Sequence, residues 1–331
     1  GVSSMENYFP EEEWEQKLPE ELGLSEQTFL SLDKDRKARY QRINSMVILK
    51  DGYIVYEKYA NGYKVDTLCE LMSATKSVVS ALIGIAIENQ LITGTQDRLV
   101  DYFPEYLSAE SDFFLDEVTI EQLLTMTSGI FWEDGTKGNE KMCRRMNRSK
   151  NWIEFLMNLP FQPDWIGKFR YSSANSHLLS GILSKATGMN AHEYAKKELF
   201  EKIGIKNSQW KKDPQGICEG SSWLALSTRD IARIGLLYLN NGKWNSKQVI
   251  AKDWVSQSIS AKNEGNDIGR YGYQWWVGRE EKLYFAMGYG GQCIAVLPEK
   301  NMVAAITAKL AMLRSQIDIP INLIYNYLCK N

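Results

Sequence analysis

Ser73 and Lys76 stand three residues apart in the stretch ELMSATKSVVSALIGIAI, residues 70–87. Residues three apart share one face of a helix, so the lysine amine can reach the serine hydroxyl. The apolar and small residues of Val78–Ile87 predict that this helix is buried, and burial favours the neutral amine, which accepts a proton. The N-terminus of a helix also favours negative charge on a serine oxygen. The pattern indicates a serine nucleophile beside its own base.

The Ser-x-x-Lys pattern alone is weak, because it also occurs at Ser31–Lys34 and Ser208–Lys211. Those two copies lie in polar segments, whereas Ser73–Lys76 begins a helix that is apolar nearly all round. The alternative interpretation is a helix cap followed by a lysine whose amine extends to solvent. The two histidines, His177 and His192, lie outside any triad-like context and are interpreted as surface or packed residues, which disfavours a Ser-His-Asp mechanism.

Further phrases follow in a fixed order: TIEQLLTMTSGIFWEDG, FRYSSANSHLLSGIL, GSSWLALSTRDIARIGLLYLNNGKW, YGYQWW and FAMGYGGQ. Together with ELMSATKSVVSALIG, this series resembles the serine β-lactamase and penicillin-binding-protein superfamily over most of the chain. An ordered series is far more specific than one short motif. The resemblance implies a β-lactamase/transpeptidase-like fold and acyl transfer through a serine.

By this resemblance, Ser73 is the acyl-accepting nucleophile, and Lys76 and Tyr171 are its proton partners. The oxyanion would be held by the backbone N–H groups of Ser73 and Gly291. Which of Lys76 and Tyr171 takes the first proton stays open, because neighbouring groups titrate together. No metal and no cofactor are expected.

Two motifs depart from the penicillin-recognising members. Ser173 stands where the second motif usually has asparagine, and Asn175 follows two residues later as a candidate substitute in substrate binding. The third motif reads Gly288-Tyr289-Gly290-Gly291, without the lysine or histidine that would anchor a substrate carboxylate. Gly288, Tyr289 and Gly290 are expected to bind substrate through backbone that approaches it closely.

These departures resemble the esterase and amidase branch, which includes family VIII carboxylesterases and 6-aminohexanoate-dimer hydrolases. Trp132 and Tyr289 are candidates to line an acyl pocket, with plain packing as the alternative. Arg144, Arg145 and Arg148 could meet a carboxylate-bearing substrate, although a solvated helix face is the simpler interpretation.

The elements that must position these residues follow from apolar periodicity. Asp51-Gly52 between two β-rich runs predicts a hairpin with a primed turn. Helical spacing dominates from about residue 70 to 240, and strands return from about 271 before a closing helix. We predict an α+β fold with a mainly antiparallel sheet, built from 1–70 and 241–331 and flanked by helices. An inserted helical region, 71–240, would meet the sheet at the active site.

Composition limits the partners. The formal net charge of −2 disfavours binding to nucleic acid, and the longest apolar run is too short to span a membrane. The charged N-terminal segment 10–41 is predicted to be helical, with its acidic run on a solvated face. The five scattered cysteines favour a reducing compartment such as the cytoplasm, although removal of a signal peptide would allow an extracytoplasmic location.

The sequence therefore predicts a metal-independent serine hydrolase that cleaves a small ester, amide or short peptide-like substrate. Two alternatives stay open: a true β-lactamase or D,D-peptidase, and an inactive binding or sensor scaffold. The sequence does not identify the natural substrate or the oligomeric state.

Overall fold

The computed structural model describes residues 6–133, 137–280, 282–310 and 319–330. The strands are β1 Ile43–Lys50, β2 Tyr53–Tyr59, β3 Cys69–Glu70, β4 Gln209–Trp210, β5 Leu224–Leu226, β6 Lys243–Trp244, β7 Lys247–Gln248, β8 Asn263–Asn266, β9 Gly269–Tyr271, β10 Trp276–Val277, β11 Tyr284–Gly288, β12 Gln292–Leu297 and β13 Met302–Ala308. The helices are α1 Glu26–Arg39, α2 Thr75–Glu88, α3 Leu99–Tyr102, α4 Ile120–Thr125, α5 Lys137–Arg148, α6 Trp152–Met157, α7 Ser173–Thr187, α8 Ala191–Ala195, α9 Glu201–Ile203, α10 Thr228–Leu239, α11 Lys252–Ser258 and α12 Ile319–Leu323.

One antiparallel sheet organises the molecule, with strand order β2-β1-β13-β12-β11-β10-β9-β8. Both ends of the chain supply it, as predicted. Asp51 and Gly52 join β1 to β2 with φ values of 53° and 89°, the left-handed pair that a type I′ turn requires. The predicted α+β fold is confirmed.

The sheet is buried on both faces. Along β1, Met46 and Ile48 pack with α1 and the C-terminal helical residues 319–329, while Val47 and Leu49 pack with the other helices. This alternation follows from the two-residue period of a strand. The sheet therefore lies between two apolar layers, and the layer that contains α2, α4, α7 and α10 carries the candidate site.

Helix α10 packs directly on the sheet. It packs on β1, β12 and β13, and a methyl group at Gly235 would lie 2.5 Å from Val303 Cγ1. The division of the chain stays a proposal, but a boundary before Thr228 suits this packing better than one at residue 240.

The N-terminal segment is helical as predicted at Pro19–Leu22 and in α1, but its acidic run is not. Glu11–Glu13 are exposed but not helical, because this part of the chain runs along the outer edge of β2. Ile54 N–H donates to Glu15 O at 3.2 Å, and Lys17 N–H donates to Ile54 O at 3.0 Å. Buried Trp14 donates from Nε1 to Gly52 O at 2.8 Å. The segment forms hydrogen bonds with the backbone of an edge strand that would otherwise be free to pair with another chain.

Candidate active site

Ser73 lies on a tight turn, Met72–Ala74, that leads into α2. Met72 has φ of 50°, a strained conformation for a residue with a side chain. Strand β5 holds this turn, because Leu71 N–H donates to Leu224 O at 2.8 Å and Leu224 N–H donates to Thr75 Oγ1 at 3.2 Å. The turn presents a half-buried Ser73 at the start of a fully buried helix.

Lys76 is 1% exposed, and its amine forms a hydrogen bond with the serine. Nζ donates to Ser73 Oγ at 2.9 Å and to Ser221 O at 3.0 Å. The same Nζ lies 4.9 Å from the centre of the Tyr171 ring. The structure therefore brings together the three residues that were predicted as catalytic: Ser73, Lys76 and Tyr171.

Tyr171 lies just before α7 and is half-buried. Its ring stacks on Trp276, with centroids 5.7 Å apart and planes 18° from parallel. Tyr271 meets it edge-on at 6.4 Å. These two buried aromatic residues, supplied by β9 and β10, fix the plane of the phenol beside Lys76.

In the second motif, Ser173 and Asn175 have different surroundings. Ser173 is half-buried in the first turn of α7, so its predicted role in substrate binding stays open. Asn175 is 1% exposed, accepts from Ser128 Oγ at 2.7 Å and donates to Met126 Sδ at 3.5 Å. The Asn175 amide thus joins α7 to the turn after α4, which argues against its predicted role in substrate binding.

The third motif forms a tight turn at the end of β11. Gly291 N–H donates to Gly288 O at 3.1 Å, and Gly290 has φ of 91°. This pattern matches a type II turn, which requires positive φ at its third residue. The turn already uses the Gly291 N–H, which argues against the predicted role of that group as an oxyanion donor.

Tyr289 N–H is better placed than Gly291 N–H to donate to an oxyanion. The Gly288 carbonyl points at Gly291, and the N–H of a trans peptide points the opposite way, so Tyr289 N–H faces out of the turn. Neither it nor Ser73 N–H donates a hydrogen bond to another of the described residues. A methyl group on Gly288 would overlap Leu71 O and lie 3.1 Å from Ser73 N, so the strand end lies directly against the nucleophile turn.

Gln292 holds this turn on the sheet. Its Nε2 donates to Tyr289 O at 3.1 Å and to Ala308 O at 2.8 Å, and its Oε1 accepts from Ala308 N–H at 3.0 Å. The buried Gln292 amide thus joins the Tyr289 carbonyl to β13. The Tyr289 side chain is 37% exposed, which leaves it free to contact a ligand as predicted.

The other predicted binding residues lie away from these groups. Trp132 is 3% exposed within the apolar core of the helical layer, which favours plain packing over its predicted place in an acyl pocket. Arg144, Arg145 and Arg148 are exposed on α5, as a solvated helix face requires. No group of three or more potential metal ligands occurs in the described residues.

Two polar contributors were missed by the sequence analysis. Ser221 supplies a backbone carbonyl to Lys76 from a segment 145 residues further along the chain. Gln274, with φ of 63°, accepts from Ser77 Oγ through its backbone and from Ser176 Oγ through its side chain, both at 2.6 Å. Gln274 thus connects the Ser73 helix with the Tyr171 helix. Gln274 lies inside the phrase YGYQWW, but the spacing of that phrase gave no sign of these bonds.

One unusual carboxyl group lies beside the Ser221 segment. Burial raises the pKa of Glu219 to about 7, against the opposing charge of Lys211, and the Asp213 carboxylate adds to the rise. Lys211 Nζ in turn lies 3.7 Å from the ring centre of Trp223, whose φ of 72° is strained. The segment that carries the Lys76 acceptor is therefore conformationally constrained.

Residues 34–313 match the family described as Beta-lactamase. The 6-aminohexanoate-dimer hydrolase of Paenarthrobacter ureafaciens is 24% identical over 294 residues, which cover 82% of this chain and 74% of that protein. Within the described residues, no helix is long and apolar enough to cross a membrane.

Solved structures share the fold. A Bacillus anthracis protein, whose own name assigns it provisionally as a 6-aminohexanoate-dimer hydrolase, has a TM-score of 0.79 at 21% identity and covers 97% of this chain and 88% of its own. A class C beta-lactamase from Rhodobacter sphaeroides has a TM-score of 0.67 at 15% identity, over 92% of this chain and 100% of its own.

Proposed function

The chain belongs to the Beta-lactamase family of serine hydrolases, and from that premise we propose that it hydrolyses small amides or esters through an acyl-Ser73 intermediate. The observation that carries the proposal is the buried Lys76 amine, which donates to Ser73 Oγ at 2.9 Å. Among the described residues, no carboxylate lies within 4.0 Å of that amine to form a salt bridge. A buried lysine without an acidic partner is costly for stability, which argues for a chemical role.

In the first half of the reaction, Lys76 and Tyr171 act as one acid–base unit. They remove the Ser73 proton as Oγ attacks the carbonyl carbon, and the carbonyl oxygen gains negative charge. Ser73 N–H and Tyr289 N–H hold this oxyanion. The same unit then returns the proton to the departing amine or alcohol, which leaves Ser73 acylated.

The second half releases the acid. Water attacks the acyl carbonyl, its proton passes to the Lys76–Tyr171 unit, and the proton returns to Ser73 Oγ as the ester bond breaks. The two N–H donors hold the second oxyanion in the same place. No step requires a metal ion.

The substrate class follows from what the site offers. The third motif supplies glycine and tyrosine backbone but no cation to pair with a β-lactam carboxylate. The relative from Paenarthrobacter is named for hydrolysis of a linear amide, the dimer of 6-aminohexanoate. We therefore place simple esters and linear amides ahead of β-lactams as substrates.

The test compares p-nitrophenyl butyrate hydrolysis by wild type, Ser73→Ala and Ser31→Ala. Ser31 belongs to another Ser-x-x-Lys pair, so its replacement controls for the pattern without its context. We expect activity to vanish in Ser73→Ala and to remain in Ser31→Ala. The 6-aminohexanoate dimer and a chromogenic cephalosporin are then compared on the wild type. Faster turnover of the cephalosporin than of ester and amide would refute the substrate assignment.

A further inference from the structure

A second buried polar pair lies behind the Lys76 amine. His177 Nε2 and Asp213 Oδ2 are 2.9 Å apart, and both side chains are almost completely excluded from solvent. The other Asp213 oxygen accepts from Gln215 N–H at 2.8 Å and from Ile217 N–H at 3.0 Å. The carboxylate is thus bound by backbone on one side and by the imidazole on the other.

The hydrogen bonds define the tautomer of His177. Gly220 N–H donates to Nδ1 at 3.2 Å, so Nδ1 carries no proton. The proton is therefore on Nε2, which donates to Asp213. Both ring nitrogens form hydrogen bonds, so the imidazole links Asp213 to the Gly220 backbone.

Gly220 is the residue before the Lys76 acceptor. A methyl group at Gly220 would overlap Ser176 O on α7, so this backbone is pressed directly onto the helix that follows Tyr171. Ser180 Oγ on the same helix donates to Cys218 O at 2.6 Å. The carbonyl of the residue after Gly220, Ser221 O, accepts from Lys76 Nζ.

We infer that His177, oriented by Asp213, is a positioning residue for the proposed reaction: it holds the Gly220–Ser221 backbone so that Ser221 O aims the Lys76 amine at Ser73. The inference rests on the proposed function. It assigns to a buried histidine, which the chemistry itself does not use, a defined effect on the nucleophile.

Two replacements separate the two hydrogen bonds of the imidazole. His177→Asn places an amide oxygen where Nδ1 was and can keep the bond from Gly220 N–H. His177→Gln places an amide nitrogen where Nε2 was and can keep Asp213, but leaves Gly220 N–H without an acceptor. His192→Gln is the control, because His192 pairs with Ser208 at 2.8 Å and makes no hydrogen bond to the Gly220–Ser221 segment.

The readout is the second-order rate at which a fluorophosphonate labels Ser73, together with kcat and KM on p-nitrophenyl butyrate. We expect His177→Gln to lower the labelling rate and kcat at least about tenfold with KM within about threefold, an increase of roughly 1.4 kcal/mol in the barrier. His177→Asn should stay within about threefold of wild type, and His192→Gln should not differ from it.

A folded His177→Gln that labels at the wild-type rate, or a His177→Asn as slow as His177→Gln, would overturn the inference. If His177→Gln does not fold, Asp213→Asn replaces it, because an amide there forces the imidazole to give up one of its two bonds. If neither folds, the pair serves the fold as a whole and the inference fails. A wild type that the fluorophosphonate does not label would instead refute the proposed function.

Discussion

At the scale of single residues, Lys76 combines features that seldom occur together. It is 1% exposed, and its amine is bonded to a hydroxyl and a carbonyl. Neither acceptor offsets the cost of burying a full positive charge as a carboxylate would. We expect this burial to lower stability, a cost that the proposed role of Lys76 in catalysis would explain.

Replacement of Lys76 by methionine should therefore separate stability from activity. Lys76→Met fills a similar volume without a charge, so we expect a higher melting temperature and a loss of kcat of about 1,000-fold or more. Lys34→Met, at an exposed lysine of another Ser-x-x-Lys pair, should change neither quantity much. Calorimetry and ester hydrolysis on the same preparations provide both measurements, and an active Lys76→Met would contradict the assigned role.

Gly288 provides a test of the revised oxyanion site. A methyl group there would displace the Leu71–Ser73 turn from the Tyr289 amide, so Gly288→Ala should lower kcat/KM by about 100-fold. Gly94→Ala is the matched control, because a methyl group at Gly94 meets nothing within 4 Å and the backbone there is not left-handed. Equal kcat/KM in the two variants would show that catalysis does not require Gly288 to lie against the Leu71–Ser73 turn.

At the scale of elements, α2 carries the nucleophile on a helix that is buried all round. Gly84 lets the Trp254 ring of α11 pack against it, and Trp254 Nε1 donates to Ser80 O at 3.0 Å. Because the helix start is also held by β5, packing at Gly84 and chemistry at Ser73 should be separable.

We expect Gly84→Ala to destabilise the fold by about 1–3 kcal/mol, since its methyl group would overlap the Trp254 ring. The kcat per folded molecule should stay within about threefold of wild type. Denaturant unfolding and active-site titration check the two statements. A stable Gly84→Ala, or one that is folded but inactive, would contradict this description of α2.

Local patterns predicted the elements that depend on local sequence. Asp51-Gly52 identified its hairpin because only left-handed backbone closes such a turn, and the apolar run after Ser73 identified a buried helix. The charged N-terminal segment was predicted to be helical and is so in α1, but before it pairing with the edge of β2 determines the conformation. A local sequence pattern cannot predict a conformation that depends on contacts between distant segments.

The same distinction applies within the site. The spacing and order of motifs predicted Ser73, Lys76 and Tyr171 as catalytic, and these three residues lie together in the structure. The motif did not show that α7 turns the Asn175 amide inward, toward Ser128 and Met126, and away from its predicted role in substrate binding. The backbone groups of Ser221 and Tyr289 were missed because every residue has such groups, and only the folded chain shows which of them face the site.

At the scale of the whole molecule, stability should depend on pH through two partly buried groups of opposite effect. The raised pKa of Glu219, about 7 against an ordinary 4.5, means that the folded state keeps a proton that the unfolded chain loses. Stability from this group is therefore lost as pH rises from 4.5 to 7. Burial, with the charges of Lys196 and Lys212, lowers the pKa of His192 to about 4, so stability from that group is lost as pH falls from 6.5 to 4.

Glu219→Gln should therefore stabilise the protein at pH 8, by about 1 kcal/mol once solvent screening of a half-buried group is included, and should have no effect near pH 4. His192→Gln should stabilise the protein at pH 5 and change its stability little at pH 8. Thermal unfolding across this range measures both. The same pH dependence in Glu219→Gln as in wild type would contradict the first assignment.

The central claim is that Ser73 carries the acyl group during turnover. The most direct measurement is to quench the enzyme with acid during steady-state hydrolysis of p-nitrophenyl butyrate and to locate the added butyryl mass by peptide mass spectrometry. We predict that the mass is found on the peptide that contains Ser73 and is absent from Ser73→Ala. An acyl group on another residue, or turnover that continues in Ser73→Ala, would contradict the account.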